Sequence, residues 1–174
     1  MRNLKKAYKD TWDISSRKED VFRRAVGANV VLVPTGFGAG SSEYLRGSSA
    51  DHGHERSAPD FVVDGTNIFV EVTGPLKTMS DDRIRRGGLW VTVAKTEYAR
   101  RHPDKKCWIA WMNGVGVGGC RMIRLGDAFE RAVAAGEIKR REVRLRGPAE
   151  RFMVVPASHE CVVNLDVFID EITK

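Results

Sequence analysis

Apolar positions along the chain alternate between helical and strand spacing, and the order of those patterns is the first structural information. From about Ser15 to Ala28, Val21, Phe22, Ala25 and Val26 form an apolar stripe at helical spacing. Ser15 or Ser16 is positioned to cap this helix, Glu19 and Asp20 to occupy its first turns, and Gly27 to end it. Val30 to Val33 then predicts a buried strand that stops at Pro34. Residues 35–58 are rich in Gly and Ser, and an irregular stretch of that length points to function or mobility. Asp60-Phe61-Val62-Val63 and Ile68 to Thr73 flank a turn at Asp64-Gly65-Thr66-Asn67, which predicts a hairpin.

A polar, basic stretch from Lys77 to Gly88 follows, with a helix expected from about Thr92 to His102. Strands are expected at Cys107–Met112 and Arg121–Leu125, separated by a turn over Gly114 to Gly119. A helix over Asp127–Ala135 ends at Gly136, Phe152–Val155 is another strand, and Asn164–Ile172 closes as a helix. This order predicts an α/β fold, a mixed sheet with helices on its faces. At 174 residues, with no repeat and no linker composition, residues 1–174 read as a single domain.

Composition narrows the class. The chain is 42% hydrophobic and 30% charged, which argues against wholesale disorder. No apolar run is long enough to span a bilayer, and the basic start lacks the apolar core of a secretory signal. Cys107, Cys120 and Cys161 are odd in number and widely spaced, as expected of reduced thiols in a cytoplasmic protein. The net charge of +6 leans toward an anionic partner such as nucleic acid. Basic clusters lie at Arg83 to Arg86, at Arg100-Arg101 with Lys105-Lys106, and at Lys139 to Arg141 with Arg144 and Arg146. Together they predict a track for a phosphate backbone. Trp90, Trp108 and Trp111 read as core or dimer-interface residues rather than stacking platforms.

The chemistry concentrates at Pro59-Asp60 and, eleven residues after Asp60, Glu71-Val72-Thr73. The midpoint of Asp60 and Glu71 falls in the hairpin turn, so a regular ladder sets the two carboxylates opposite each other. Like charges so placed repel unless a cation stands between them. Glu71 also lies in an apolar strand, where a lone charge is unfavourable. Two carboxylates and the Val72 carbonyl are hard oxygen donors suited to Mg2+, with Mn2+ as a substitute.

Pro59-Asp60, the eleven-residue step and Glu71-Val72-Thr73 resemble the signature of the PD-(D/E)XK nuclease superfamily, which includes restriction enzymes and archaeal Holliday junction resolvases. The resemblance extends upstream through Glu19, the strand Val30 to Val33 and the loop Gly36-Phe37-Gly38-Ala39-Gly40-Ser41-Ser42, and covers roughly Ser15 to Met112. It implies a restriction endonuclease-like core and a Mg2+-dependent DNA endonuclease, with Asp60, Glu71 and Val72 as metal ligands and Glu19 assisting. A homodimer, joined through the Trp108-Ile109-Ala110-Trp111 strand or the C-terminal helix Asn164 to Ile172, would supply two centres for cutting both strands. The superfamily usually carries Lys two residues after the Glu, where this chain has Thr73. The charge is then expected from Lys95 on a helix, or from Lys77 on a loop. The helix holds a side chain more firmly, which favours Lys95. Thr73 equally fits a non-catalytic nucleic-acid-binding protein on the same fold, and a structural protein with accidental acids would bind no metal. His52-Gly53-His54-Glu55 with Ser57 reads as a polar loop. Gly36 to Gly40 has no Walker lysine after it, so it reads as a loop bordering the cleft.

Overall fold

The computed structural model describes residues 4–28, 30–35, 58–144 and 149–174. Its long first helix, α1 (Leu4–Val26), leads to strand β1 (Leu32–Pro34) and then to the hairpin β2 (Phe61–Val63) and β3 (Ile68–Thr73). Helix α2 (Asp81–Gly87), strand β4 (Leu89–Thr92) and helix α3 (Val93–Arg101) form the crossover to β5 (Lys106–Met112). A 3-10 turn at Val117–Gly119 precedes β6 (Cys120–Leu125) and α4 (Asp127–Ala134). Strands β7 (Lys139–Val143), β8 (Glu150–Val155) and β9 (Val162–Asn164) and helix α5 (Leu165–Ile172) complete the described elements.

Six strands make the main sheet in the order β1-β2-β3-β5-β6-β9. Only the β3–β5 pair is parallel; the other neighbours are antiparallel, so the sheet is mixed. Both faces of β3 and β5 are covered, which is why each is a nearly unbroken apolar run without alternation. On one face, Phe22 and Val26 of α1 and Phe168 of α5 pack with Val70, Val72, Trp108, Ala110 and Met122. On the other, Phe69, Ile109, Trp111 and Ile123 meet Ile84, Tyr98 and Phe129 from α2, α3 and α4. That second core also contains Leu89, Val91, Met153 and Val155, from a three-stranded sheet ordered β4-β8-β7.

The expected α/β class and mixed sheet are present, and several details differ. Helix α1 begins at Leu4 instead of near Ser15, since no Gly or Pro interrupts residues 4–26. Ser15 and Ser16 are therefore mid-helix residues, and Glu19 and Asp20 lie far from its first turn. Gly27 follows the helix with φ of +86°, as a C-terminal glycine should. Strand β1 is an edge strand, with Val31 and Val33 exposed rather than buried. The expected polar stretch after Lys77 contains α2, capped by the Ser80 side chain at the Arg83 amide. The small sheet was not expected. Its β7 is polar or charged at four of five positions, so backbone pairing with β8 creates a strand that apolar periodicity cannot reveal.

Trp108 and Trp111 are 2% exposed at the centre of the sheet. The strand Trp108 to Trp111 is thus buried between β3 and β6, so it does not offer the dimer surface that the sequence suggests. All three cysteines are buried and free. Burial pushes the thiols up, to about 11 for Cys107 and Cys161 and about 12 for Cys120. No described helix is long and apolar enough to cross a membrane.

Phe22 is the anchor of α1, completely buried against the sheet with its ring 6.4 Å from that of Phe168. Phe22→Ala should lower unfolding free energy by about 3–5 kcal/mol in denaturant titrations. A loss below about 1 kcal/mol would contradict the docking of α1 on the sheet.

Candidate functional site

Lys18 and Glu19 lie on α1 four and three residues before Phe22, about one turn away, on the side that enters the core. Both are buried, at 3% and 5% exposure. Lys18 Nζ donates to the backbone carbonyls of Gly74 at 2.8 Å and Pro75 at 2.6 Å. These bonds fasten α1 to the chain as it leaves β3. Gly74 is required there: its φ is +144°, and a Cβ would collide with the Met112 carbonyl.

The hairpin register sets Phe61 opposite Val70 and Val62 opposite Phe69. One step further brings Asp60 opposite Glu71, as the spacing predicts, and the next brings Pro59 opposite Val72. Proline has no N–H, so at this position the ladder cannot supply a donor to the Val72 carbonyl. The Val72 amide instead donates to Asp60 Oδ2 at 2.7 Å. The N–H and C=O of a strand residue point to the same side, so the Val72 carbonyl also faces the Asp60 edge. Thr35, buried at the end of β1, holds Pro59-Asp60 from the other side. Its Oγ1 donates to the Pro59 carbonyl at 2.6 Å and its amide to the Asp60 carbonyl at 3.0 Å.

Glu71 and Thr73 share a face of β3, the face covered by α3. From the first turn of α3, the Lys95 ammonium forms an ion pair with Glu71 Oε1. The Glu71 side chain is 12% exposed and that of Lys95 is 32% exposed, so the cluster opens to solvent on the Lys95 side. Burial lowers the Lys95 pKa, against the attraction of Asp60 and Glu19, which favours the charged form. Burial raises the Asp60 pKa, opposed by Lys95 and by the Val72 N–H. Each group therefore makes the other's charge tolerable. Lys18 is lowered to about 8 by burial and by repulsion from Lys95, although two carbonyls accept from it.

Glu19, Asp60, Glu71 and Lys95 are thus brought into one electrostatic cluster. Lys77 is exposed on the segment after β3 and lies apart from these contacts. Among the described residues, no group of three or more His, Cys, Asp or Glu side chains is placed to hold a metal ion. The cation standing among the carboxylates is the Lys95 ammonium. Residues 36–42, His52, His54, Glu55, Ser57 and Arg146 lie outside the described residues.

Two participants escaped the sequence reading. Lys18 had a signal, its four-residue step to Phe22 and eight to Val26, which sets a lysine on the buried stripe. Thr35 had none, since its role depends on the pairing of β1 with β2. No family model matches the chain, and no curated protein or solved structure matches it either.

The position of Lys18 yields a pH dependence. Below about 8 it is charged in both states, and the buried ammonium destabilises the fold. Between about 8 and the ordinary 10.5 the folded chain has lost this proton while the unfolded chain keeps it. Stability then increases with pH. The unfolding free energy of the wild type minus that of Lys18→Met should rise across this window. A flat difference would contradict the burial of a charged Lys18.

Proposed function

We propose that the protein is a Mg2+-dependent DNA endonuclease with a restriction endonuclease-like core. The observation that carries this reading is the placement of Lys95 on Glu71 beside Asp60 at the end of β3, with Glu19 close enough to favour its charged form. Asp60 Oδ2 is taken by the Val72 amide and Glu71 Oε1 by Lys95, leaving Asp60 Oδ1, Glu71 Oε2 and the Val72 carbonyl as oxygen donors. This all-oxygen set fits Mg2+, or Mn2+ in its place. When bound, the ion would supply Lewis-acid polarisation of a phosphoryl oxygen and acidify water.

The remaining chemistry belongs to the chain. Lys95 provides the positive charge that Thr73 cannot, on the same face of the sheet. It is positioned to neutralise a phosphate entering from the open side. Glu19 contributes a third carboxylate, favouring the charged form of Lys95. The reaction is in-line attack by water at phosphorus, breaking one P–O ester bond. With one Asp60/Glu71 pair per chain, a two-fold homodimer is the simplest arrangement for cutting both strands. With the Trp108 to Trp111 strand buried in the sheet, helix α5, where Val167 is exposed, is the candidate dimer surface.

The ion pair of Lys95 on Glu71, in which a cation of the protein already meets the carboxylate, favours a second reading. In that reading the same surface binds nucleic acid without cutting it.

Nicking of supercoiled plasmid and of four-way-junction DNA distinguishes the two. The nuclease reading predicts cleavage with Mg2+ or Mn2+ and none in EDTA. Asp60→Asn and Glu71→Gln should each reduce it by roughly a hundredfold or more while the protein stays folded. Lys95→Ala should lose far more activity than Thr73→Ala. Cleavage by either carboxylate variant at the wild-type rate would overturn the site, and binding without nicking would select the second reading.

A further inference from the structure

The small sheet has one face in the core and one outside it. Leu89, Val91, Met153 and Val155 point inward. The register then aligns Trp90, Val154 and Lys139 in one outward row and Thr92, Phe152 and Arg141 in the next. Trp90 and Phe152 are only half-buried and belong to neither hydrophobic core. Their rings lie 5.5 Å apart, inclined at 55°. The guanidinium carbon of Arg141 stands 6.0 Å from the centre of the Trp90 ring. Lys139 and Arg141 are exposed. Trp90 is held in place by its indole N–H on the Gly87 carbonyl at 2.9 Å, and its own carbonyl accepts from Trp111 at 3.3 Å.

An open sheet face carrying two aromatic rings with cations along its edge strand is unusual for a merely solvated surface. Aromatic faces accept stacked bases of any sequence, and lysine or arginine beside them contact phosphates. The strand bearing Trp90 runs directly into α3, so Trp90 is five residues from Lys95. Even fully extended, that span is at most about 18 Å. The two positions are therefore within the span of a few nucleotides.

We propose that the outward face of β4-β8-β7 binds an unpaired stretch of nucleic acid, stacking bases on Trp90 and Phe152 and holding the backbone through Lys139 and Arg141. This deepens the nuclease reading, on which its biological sense rests, by naming unpaired nucleotides as the feature recognised near the cleavage centre. The charge complementarity selects nucleic acid over an apolar protein partner.

The test is binding of the full chain to fluorescein-labelled oligo(dT), measured by anisotropy in EDTA, where cleavage chemistry plays no part. A duplex of equal length is the comparison. The wild type should prefer the single strand. Trp90→Leu and Phe152→Leu retain apolar cover but lose the aromatic face, and each should weaken single-strand binding by roughly five- to a hundredfold. Lys139→Gln and Arg141→Gln, both at exposed positions, should each reduce the log–log salt slope by about one. Thermal melts establish that each variant is folded. Wild-type single-strand affinity in folded Trp90→Leu and Phe152→Leu, or an unaltered salt slope in the two cation variants, would overturn the proposal. So would a wild-type preference for duplex. Failure of nicking in Mg2+ with these binding results intact would instead count against the nuclease reading alone.

Discussion

Everything at the end of β3 depends on the attraction between the Lys95 ammonium and the carboxylates around it. Asp60 and Glu71 are neighbours across a hairpin, both within the buried part of the protein, and Glu19 acts on the same lysine from α1. Without a cation such a group would have to take up protons or open to water. Lys95 supplies that cation from a helix whose N-terminus is fixed by β4, and β4 is fixed by the small sheet. The second sheet is therefore part of the site's support, because it sets the position from which Lys95 reaches Glu71.

Pro59 has a corresponding role in the backbone. Lacking an N–H, it leaves the Val72 carbonyl without a ladder donor on that side, while the Val72 amide goes to the Asp60 side chain. The amide orients Asp60, and the carbonyl is an oxygen acceptor beside two carboxylates. Thr35 fixes the Pro59-Asp60 peptide, and Lys18 fixes the chain just beyond Thr73. The acidic cluster is thereby held from three elements at once, which restricts the freedom of its side chains without requiring a bound ligand.

Much of this was legible in local pattern. The hairpin symmetry placed Asp60 against Glu71, and the helical context of Lys95 marked it above Lys77. Elements built on weaker local signals were harder to read. β7 is charged along its length and exists through its pairing with β8, while β4 is four residues long between a helix and a helix. Trp90 looked like Trp108 and Trp111, and only the alternation of β4 shows that it faces outward. The early start of α1 is hidden because polar residues dominate its first half and Ser15 and Ser16 imitate an N-cap just before the apolar stripe.

As proposed, Asp60, Glu71 and the Val72 carbonyl would together hold a divalent cation beside the Lys95 ion pair. Titration of the 15N-labelled protein with Mg2+ reads this at the Val72 amide, whose N–H donates to Asp60 Oδ2. The expected result is a saturable shift at Val72 and Glu71 in the wild type that disappears in Asp60→Asn. No shift at these amides, or the same shift in Asp60→Asn, would contradict it.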